Sequence, residues 1–362
     1  MQKPSTLHII KSLFYLNEGP WRWSAGLQAA LAMGLPIGVF TLLGQQSLGL
    51  MASLGGFTGL YCVAMPRTAR MRVLPFIGAG FVLVSLLGVL CSVNVWLSLA
   101  GLVLVAALSC ILTLGTGLGP PGPLMFIMVA AVSGQIAAKS GLRHATELGV
   151  MLLPLLVALG AAMAYLVVII PLVLPAVRRR AAGIAPPAFA SRIRLDEKAV
   201  EITFRVVLGV AITSIVGLVL EINRSYWVMI PAIAVLQAGY NRQATTIRAV
   251  HRILGTVLGM LLFGVLWLLK PSGFWLVAVI VVLQYAVEVV VTKHYGLALI
   301  FITPVALTIA TASHPESYLF SLRERVIDTL LGAAIGLVIF WADEWYRERK
   351  LKAATRNRQD GS

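Results

Sequence analysis

Val95-Trp96-Leu97-Ser98-Leu99-Ala100-Gly101-Leu102-Val103-Leu104-Val105-Ala106-Ala107-Leu108-Ser109-Cys110-Ile111-Leu112-Thr113-Leu114-Gly115 contains no charged residue. Wound as an α-helix at about 1.5 Å per residue, it reaches about 30 Å, the thickness of a bilayer's hydrocarbon core. The rest of the chain has the same character. Charged residues make up 12% of the 362 and the set AVILMFWYC 59%, whereas a soluble domain carries roughly 25% charged residues. Too few charges exist to clothe such a core in a water-facing surface. The composition predicts an all-α polytopic membrane protein and excludes a string of soluble domains.

Cutting at charges, prolines and glycines predicts about twelve transmembrane helices. The first six are 24–43, 47–65, 73–92, 95–115, 120–138 and 147–175; the second six are 201–220, 225–239, 252–269, 273–292, 296–312 and 324–341. Run 225–239 is short for a span and 147–175 is long. The first run lacks a small-residue cleavage site and reads as a retained span. Residues 1–23 form an N-terminal interfacial segment, amphipathic from Leu7 to Phe14 and anchored by Trp21 and Trp23. Residues 176–200 are a basic linker, and 342–362 a basic tail.

The net charge of +15 would suggest nucleic acid in a soluble chain. Here the cations sit at the ends of apolar runs, which reads as topogenic charge. With the N-terminus inside, the cytoplasmic side receives Lys3, Lys11, Arg22, Arg67, Arg70 and Arg72, and then Arg178, Arg179, Arg180, Arg192, Arg194 and Lys198. It also receives Arg242, Arg248, Arg252, Lys293 and the tail cations Arg347, Arg349, Lys350, Lys352, Arg356 and Arg358. The other side receives Lys139, Arg143, Arg224, Lys270, Arg323 and Arg325. The imbalance predicts an inner-membrane protein with both termini cytoplasmic.

Shifted by about 178 residues, the chain repeats itself. Ser47-Leu48-Gly49-Leu50-Met51 falls on Ser225-Tyr226-Trp227-Val228-Met229, Tyr61 falls near Tyr240, and Gly78 near Gly255. Residues 24–175 and 201–341 are therefore two six-helix repeats. An even helix number makes them parallel, related by an axis along the membrane normal. Sites in repeat-built transporters lie between the halves near interrupted helices, which draws interest to Pro120-Pro121-Gly122-Pro123 and to Pro304.

The most specific stretch begins at Trp227-Val228-Met229-Ile230-Pro231 and continues through Tyr240-Asn241-Arg242-Gln243-Ala244-Thr245-Thr246. It ends in Arg252-Ile253-Leu254-Gly255-Thr256-Val257-Leu258-Gly259. With His294-Tyr295-Gly296 and the run to Pro304, it resembles the fusaric-acid-resistance family of membrane permeases. That family is similar to aromatic carboxylic acid efflux pumps and to plant aluminium-activated malate channels. The resemblance is strong over about 201–340 and reaches 24–175 only through the repeat. It implies export of small organic anions, aromatic carboxylic acids above all, driven by the proton gradient or the membrane potential. It also implies a possible periplasmic adaptor protein as partner. Many members carry a large cytoplasmic domain; about 25 residues separate the halves here, so roles assigned to that domain are not carried over.

An anion crossing a low-dielectric slab needs positive charge at its entrance and donors within. Arg248 and Arg252, four apart on one helix face, with Arg205 nearby, are candidate substrate-binding cations. The competing reading makes them positive-inside anchors that satisfy helix-end carbonyls. Trp227, Tyr240, Phe301 and Phe126 are candidate aromatic lining or plain packing, and Thr303 before Pro304 offers a hydroxyl. Glu288, within the tenth span, is the proton-coupling candidate, with pairing to Arg205 or Lys293 as its alternative. Gly255 and Gly259 read as helix packing.

The rivals are a passive anion channel and, in another class, a non-transporting scaffold or an enzyme acting on lipid substrates. No H-E-x-x-H, P-loop or CxxC occurs, and Cys62, Cys91 and Cys110 read as small hydrophobes. No catalytic residue, metal, cofactor or nucleic acid is expected. Besides substrate, membrane lipid and a homo-oligomeric copy are the partners. A major-facilitator carrier is disfavoured because Pro66-Arg67-Thr68-Ala69-Arg70-Met71-Arg72 has no acidic residue.

Overall fold

Backbone amides inside a bilayer find no water, so each apolar run must satisfy its own peptide groups, and the α-helix does so locally. The computed structural model describes residues 13–139, 147–182, 193–222, 224–237, 242–311 and 318–359. Side chains are described except at 139, 147–148, 180–182, 311, 318–321 and 351–359. The first-half helices are α1 (Trp23–Leu42), α2 (Gln46–Ala52), α3 (Arg67–Cys91), α4 (Val95–Gly115), α5 (Leu124–Lys139), α6 (Glu147–Ile169) and α7 (Pro175–Ala182). The second half has α8 (Glu197–Val219), α9 (Tyr226–Leu236), α10 (Arg242–Leu268), α11 (Gly273–Val290), α12 (Tyr295–Thr311) and α13 (Tyr318–Gln359). No strand occurs among the described residues.

Eight of the described helices are long and apolar enough to cross a membrane: α1, α3, α4, α6, α8, α10, α11 and α13. The other predicted runs fold shorter. Run 47–65 becomes α2 and a 3-10 segment, Ser53–Leu60, because its glycines bring backbone against backbone. A Cβ at Gly56 would lie 2.7 Å from the Ala32 oxygen, and one at Gly55 would run into α6 at Val157 and Gly160. Run 225–239 becomes the 11-residue α9, buried from Trp227 to Leu236. α5 has 16 residues and starts only after Pro123, and α12 has 17 with Pro304 inside. Helices surrounded by protein need not match the bilayer's thickness. The last run overshoots instead, since α13 is 42 residues long and carries helix past 341 to Gln359. α10 likewise starts at Arg242, ahead of the predicted 252.

Side-chain caps begin two of the long helices. Asn94 accepts from the Trp96 amide at 2.8 Å ahead of α4, and Asp196 from the Ala199 amide at 2.7 Å ahead of α8. Of the N-terminal interfacial segment, residues 1–12 lie outside the described residues; Trp21 and Trp23 stack at 5.5 Å.

Helices pair by the same scheme in both halves. In the first, α3 packs on α5 and α6, and α6 on Ser53–Leu60 and α1; in the second, α10 packs on α12 and α13, and α13 on α9 and α8. The halves meet crosswise, α1 against α11 and α4 against α8. Both seams are apolar. One joins Met33 and Ile37 to Leu276, Val279, Ile280 and Leu283. The other joins Val105, Ala106 and Cys110 to Val206, Val210, Met229, Ile233 and Phe340. Small residues let the first seam close, since a Cβ on Gly26 would lie 2.8 Å from Val289 Cγ2. Phe76, Leu155, Phe204 and Leu261 point outward and exposed, the surface a lipid environment favours.

Candidate functional site

Charge inside apolar helices is costly, so its placement is the informative feature. Arg70, Arg205, Arg252, Lys293, Arg325 and Asp328 are buried charged side chains. Three of these cations are held mainly by protein acceptors, although Arg70 leaves its Nε without one among the described residues. Arg70 donates to Gln28 Oε1 and to the Gly59 oxygen, both at 2.7 Å, tying down the end of the 3-10 segment. Lys293 donates to the Asn17 and Gly19 oxygens, holding the N-terminal stretch on the turn between α11 and α12. Arg205 pairs with Glu201, one turn earlier on α8, and with Asp343 at 2.6 Å; Arg347 joins both carboxylates at 2.7 and 3.0 Å. Two cations face two carboxylates there, so Arg205 carries no surplus charge.

Arg252 differs. It is 3% exposed; Nη1 donates to Tyr295 Oη at 3.2 Å, while Nε and Nη2 meet no acceptor among the described residues. Arg325 of α13 is 2% exposed and leaves its own Nε unmet among the described residues. Its guanidinium lies within electrostatic reach of Arg252, Tyr226, Tyr295 and Asp328. Thr256 stands one turn beyond Arg252, Thr329 one turn beyond Arg325, and Thr303 against Gly259; all three hydroxyls are buried without a partner among the described residues. One oxygen of Asp328 is in the same position. Trp227 closes the α9 side, with Arg325 at 5.2 Å and Arg224 at 4.6 Å over its ring.

Each unmet buried donor costs about 1–3 kcal/mol, and a guanidinium taken from water several more. Arg224, Arg248, Arg252 and Arg325 gather here against Glu324 and Asp328. The surplus is positive and the spare groups are mostly donors and hydroxyls, a setting complementary to an anion.

The candidates read from the sequence distribute unevenly around this cluster. Arg252, Trp227 and Thr303 belong to it. Arg248 sits at its edge, donating to the Ala234 oxygen of α9 at 2.9 Å and lying 3.9 Å from the Tyr295 ring centre. This is the helix-end role of the competing reading, and Arg70 plays the same part in the first half. Arg205 is elsewhere, in the ion network. Phe301 packs on the α1–α11 seam with Met33 and Leu283. Phe126 stacks on Phe81 at 4.5 Å in the first half, so these aromatics form no common lining. Tyr240 lies outside the described residues. Glu288 neighbours Arg22 rather than Arg205 or Lys293. Gly255 and Gly259 let α12 approach α10: a Cβ on either would lie 2.6 Å from the Gly296 oxygen or 2.7 Å from Thr303 Cβ.

Sequence reasoning missed Tyr295, Arg325 and the Thr256 and Thr329 hydroxyls as members. Arg325 was counted as an outer loop cation and Arg252 as a cytoplasmic one, yet the two lie near each other inside the helix bundle. The available signal was Arg325-Val326-Ile327-Asp328-Thr329, polar on one helix face inside an apolar run. A large cavity, about 890 Å³, lies not between the halves but within the first, lined by α3, α4 and Phe126 of α5.

Residues 208–339 match the fusaric acid resistance protein-like family, the segment that holds Trp227, Arg252, Tyr295, Thr303 and Arg325. Among curated relatives, the uncharacterized membrane protein YvaC of Bacillus subtilis is 34% identical over 116 residues, 32% of this chain and 18% of that protein. The uncharacterized protein YhfK of Escherichia coli is 30% identical over 161 residues, 43% of this chain and 22% of the relative. The inner membrane protein YccS of Escherichia coli is 32% identical over 175 residues, 46% of this chain and 23% of the relative. The matches thus span only about a fifth of those relatives' lengths. No solved structure matches the chain.

Proposed function

Taking as premise a multi-pass membrane protein with a fusaric acid resistance protein-like segment, we propose that the chain is a permease exporting small organic anions, aromatic carboxylates first, across the inner membrane. One observation carries the reading: Arg252 and Arg325 are buried within electrostatic reach of each other, with donors that nothing in the described protein accepts. An interior keeps such groups unpaired at a stability cost unless something else meets them in use. A carboxylate has two acceptor oxygens and the opposite charge, and the Trp227 ring beside Arg325 offers a flat apolar wall to an aromatic one. Twelve crossings arranged as two parallel sextets, with both termini cytoplasmic, complete the proposal. The recurring helix pairing supports the sextets, and the cation distribution supports the orientation. The reading assigns no enzymatic step; a periplasmic adaptor and self-association are part of it as partners.

The test is flux of a labelled aromatic acid panel in proteoliposomes, with pH gradient and membrane potential imposed separately. Saturable movement is expected, dependent on one of the two gradients and lowered about tenfold or more by Arg252→Gln or Arg325→Gln, the worth of a charged hydrogen bond. If no solute moves under any gradient, or both variants carry it at the parent rate, the proposal fails. Gradient-independent conductance, indifferent to Glu288→Gln, would replace the permease with a passive channel.

A further inference from the structure

The cavity in the first half is built from a different pattern, and its occupant can be argued independently of the second-half cluster. It runs between α3 and α4, from Thr68, Arg72 and Thr116 at one end to Leu87 and Val105 at the other. Arg72 to Leu87 is about 22 Å along a helix, longer than one leaflet's apolar depth of about 15 Å. Phe126 forms the floor, backed by Phe81 and Tyr61. Gly80 makes the room, since a Cβ there would lie 2.9 Å from the Phe126 ring. Phe76, Leu83, Leu108 and Leu112 form the walls and are themselves exposed, so the groove opens sideways, toward lipid.

The hydroxyls that α4 contributes to the walls are already spent. Ser109, Thr113 and Thr116 each donate to a carbonyl of their own helix. Arg72 is the charged residue of the lining and takes part in no ion pair or hydrogen bond among the described residues. Arg194 reaches the same end, its amide donating to the Gly115 oxygen at 3.0 Å. The following Asp196 is engaged in capping α8. An apolar groove about as long as an acyl chain, open to the bilayer and cationic at one end, has the shape and charge of a lipid site.

We propose that this groove holds an anionic phospholipid of the surrounding bilayer, its phosphate at Arg72 and an acyl chain against Phe76, Leu83, Leu108 and Leu112. A second copy of the chain fits less well. Inserted in the same orientation, it would bring its own Arg67–Arg72 cations to the same depth, like charge against like.

Native mass spectrometry of the full chain, released from micelles containing phosphatidylglycerol or phosphatidylcholine with identical acyl chains, tests the site. Phosphatidylglycerol should be retained preferentially. Arg72→Gln should lower that preference about fivefold, the worth of one basic residue at a membrane surface, and Arg72→Lys should keep it. Leu108→Trp, which fills the groove from α4, should reduce retention of both lipids, and it decides the matter should Arg72→Gln fail to fold. Equal retention of the two lipids by the parent chain, a preference unchanged in Arg72→Gln, or retention unchanged in Leu108→Trp would overturn the proposal. So would efficient disulfide cross-linking of two copies through Leu108→Cys, which would give the face to self-association.

Discussion

Replacing Arg252 by Met should leave the protein as stable as before or more so, whereas the same change at Arg205 should weaken it. Both guanidinium groups are buried, but their surroundings differ. At Arg252 the substitution removes one bond to Tyr295 Oη and two donors without acceptors. A bond from a charged donor is worth about 1.5–3 kcal/mol, and each unmet buried donor costs about 1–3 kcal/mol. With mid-range values the balance is a gain of about 2 kcal/mol, within a span from a loss of about 1 to a gain of about 4.5 kcal/mol, and the lost proximity to Arg325 adds to the gain. At Arg205 the substitution leaves Glu201 and Asp343 facing Arg347 alone. Breaking a buried pair costs about 3–5 kcal/mol, and because these carboxylates are partly exposed the lower figure applies, about 3 kcal/mol. Equilibrium unfolding of the purified variants in mixed micelles measures both. An Arg252→Met protein that unfolds as readily as Arg205→Met would show that Arg252 is satisfied within the fold and leaves no idle donors for an anion.

Other consequences follow from single contacts. Gly255→Val should destabilise by about 1–3 kcal/mol through overpacking, because its Cβ would sit 2.6 Å from both the Gly296 oxygen and Leu299 Cβ; an unfolding midpoint equal to the parent's would contradict the α10–α12 contact. Lys293→Met should loosen the stretch from Glu18 to Trp21, which Lys293 holds through the Asn17 and Gly19 carbonyls and a ring at 5.2 Å, while Asn17 keeps its amide bonds to the Lys293 and Thr292 oxygens. A thiol introduced by Glu18→Cys should then react faster with a water-soluble maleimide, and unchanged labelling would count against that anchorage. Tyr61→Phe removes a 2.5 Å bond to the Gly122 oxygen and should cost about 1 kcal/mol, read by the same micelle unfolding assay.

Much of the fold was legible because each membrane helix is decided locally. Val95–Gly115 became α4 at the predicted boundaries, since nothing but its own apolar residues and the Asn94 cap was needed. The 47–65 and 225–239 runs were harder. Gly55, Gly56 and Gly59 give no sign of which backbone they will approach, and the 11 residues of α9 avoid the bilayer's length requirement by being enclosed in protein. The site was half legible: Arg252, Trp227 and Thr303 come from motifs in one stretch, while Arg325 and Tyr295 join them only through the packing of α10 against α12 and α13.

Composition and the spacing of apolar runs were enough to make this chain a helical membrane protein, because a bilayer rewards greasy segments one at a time and leaves their peptide groups no other partner. Which of its buried cations would be neutralised and which would keep idle donors was settled only by folding. A charge's surroundings come from helices far away in the chain, and no local pattern in the sequence records that Arg205 would meet Asp343 while Arg252 would meet another arginine.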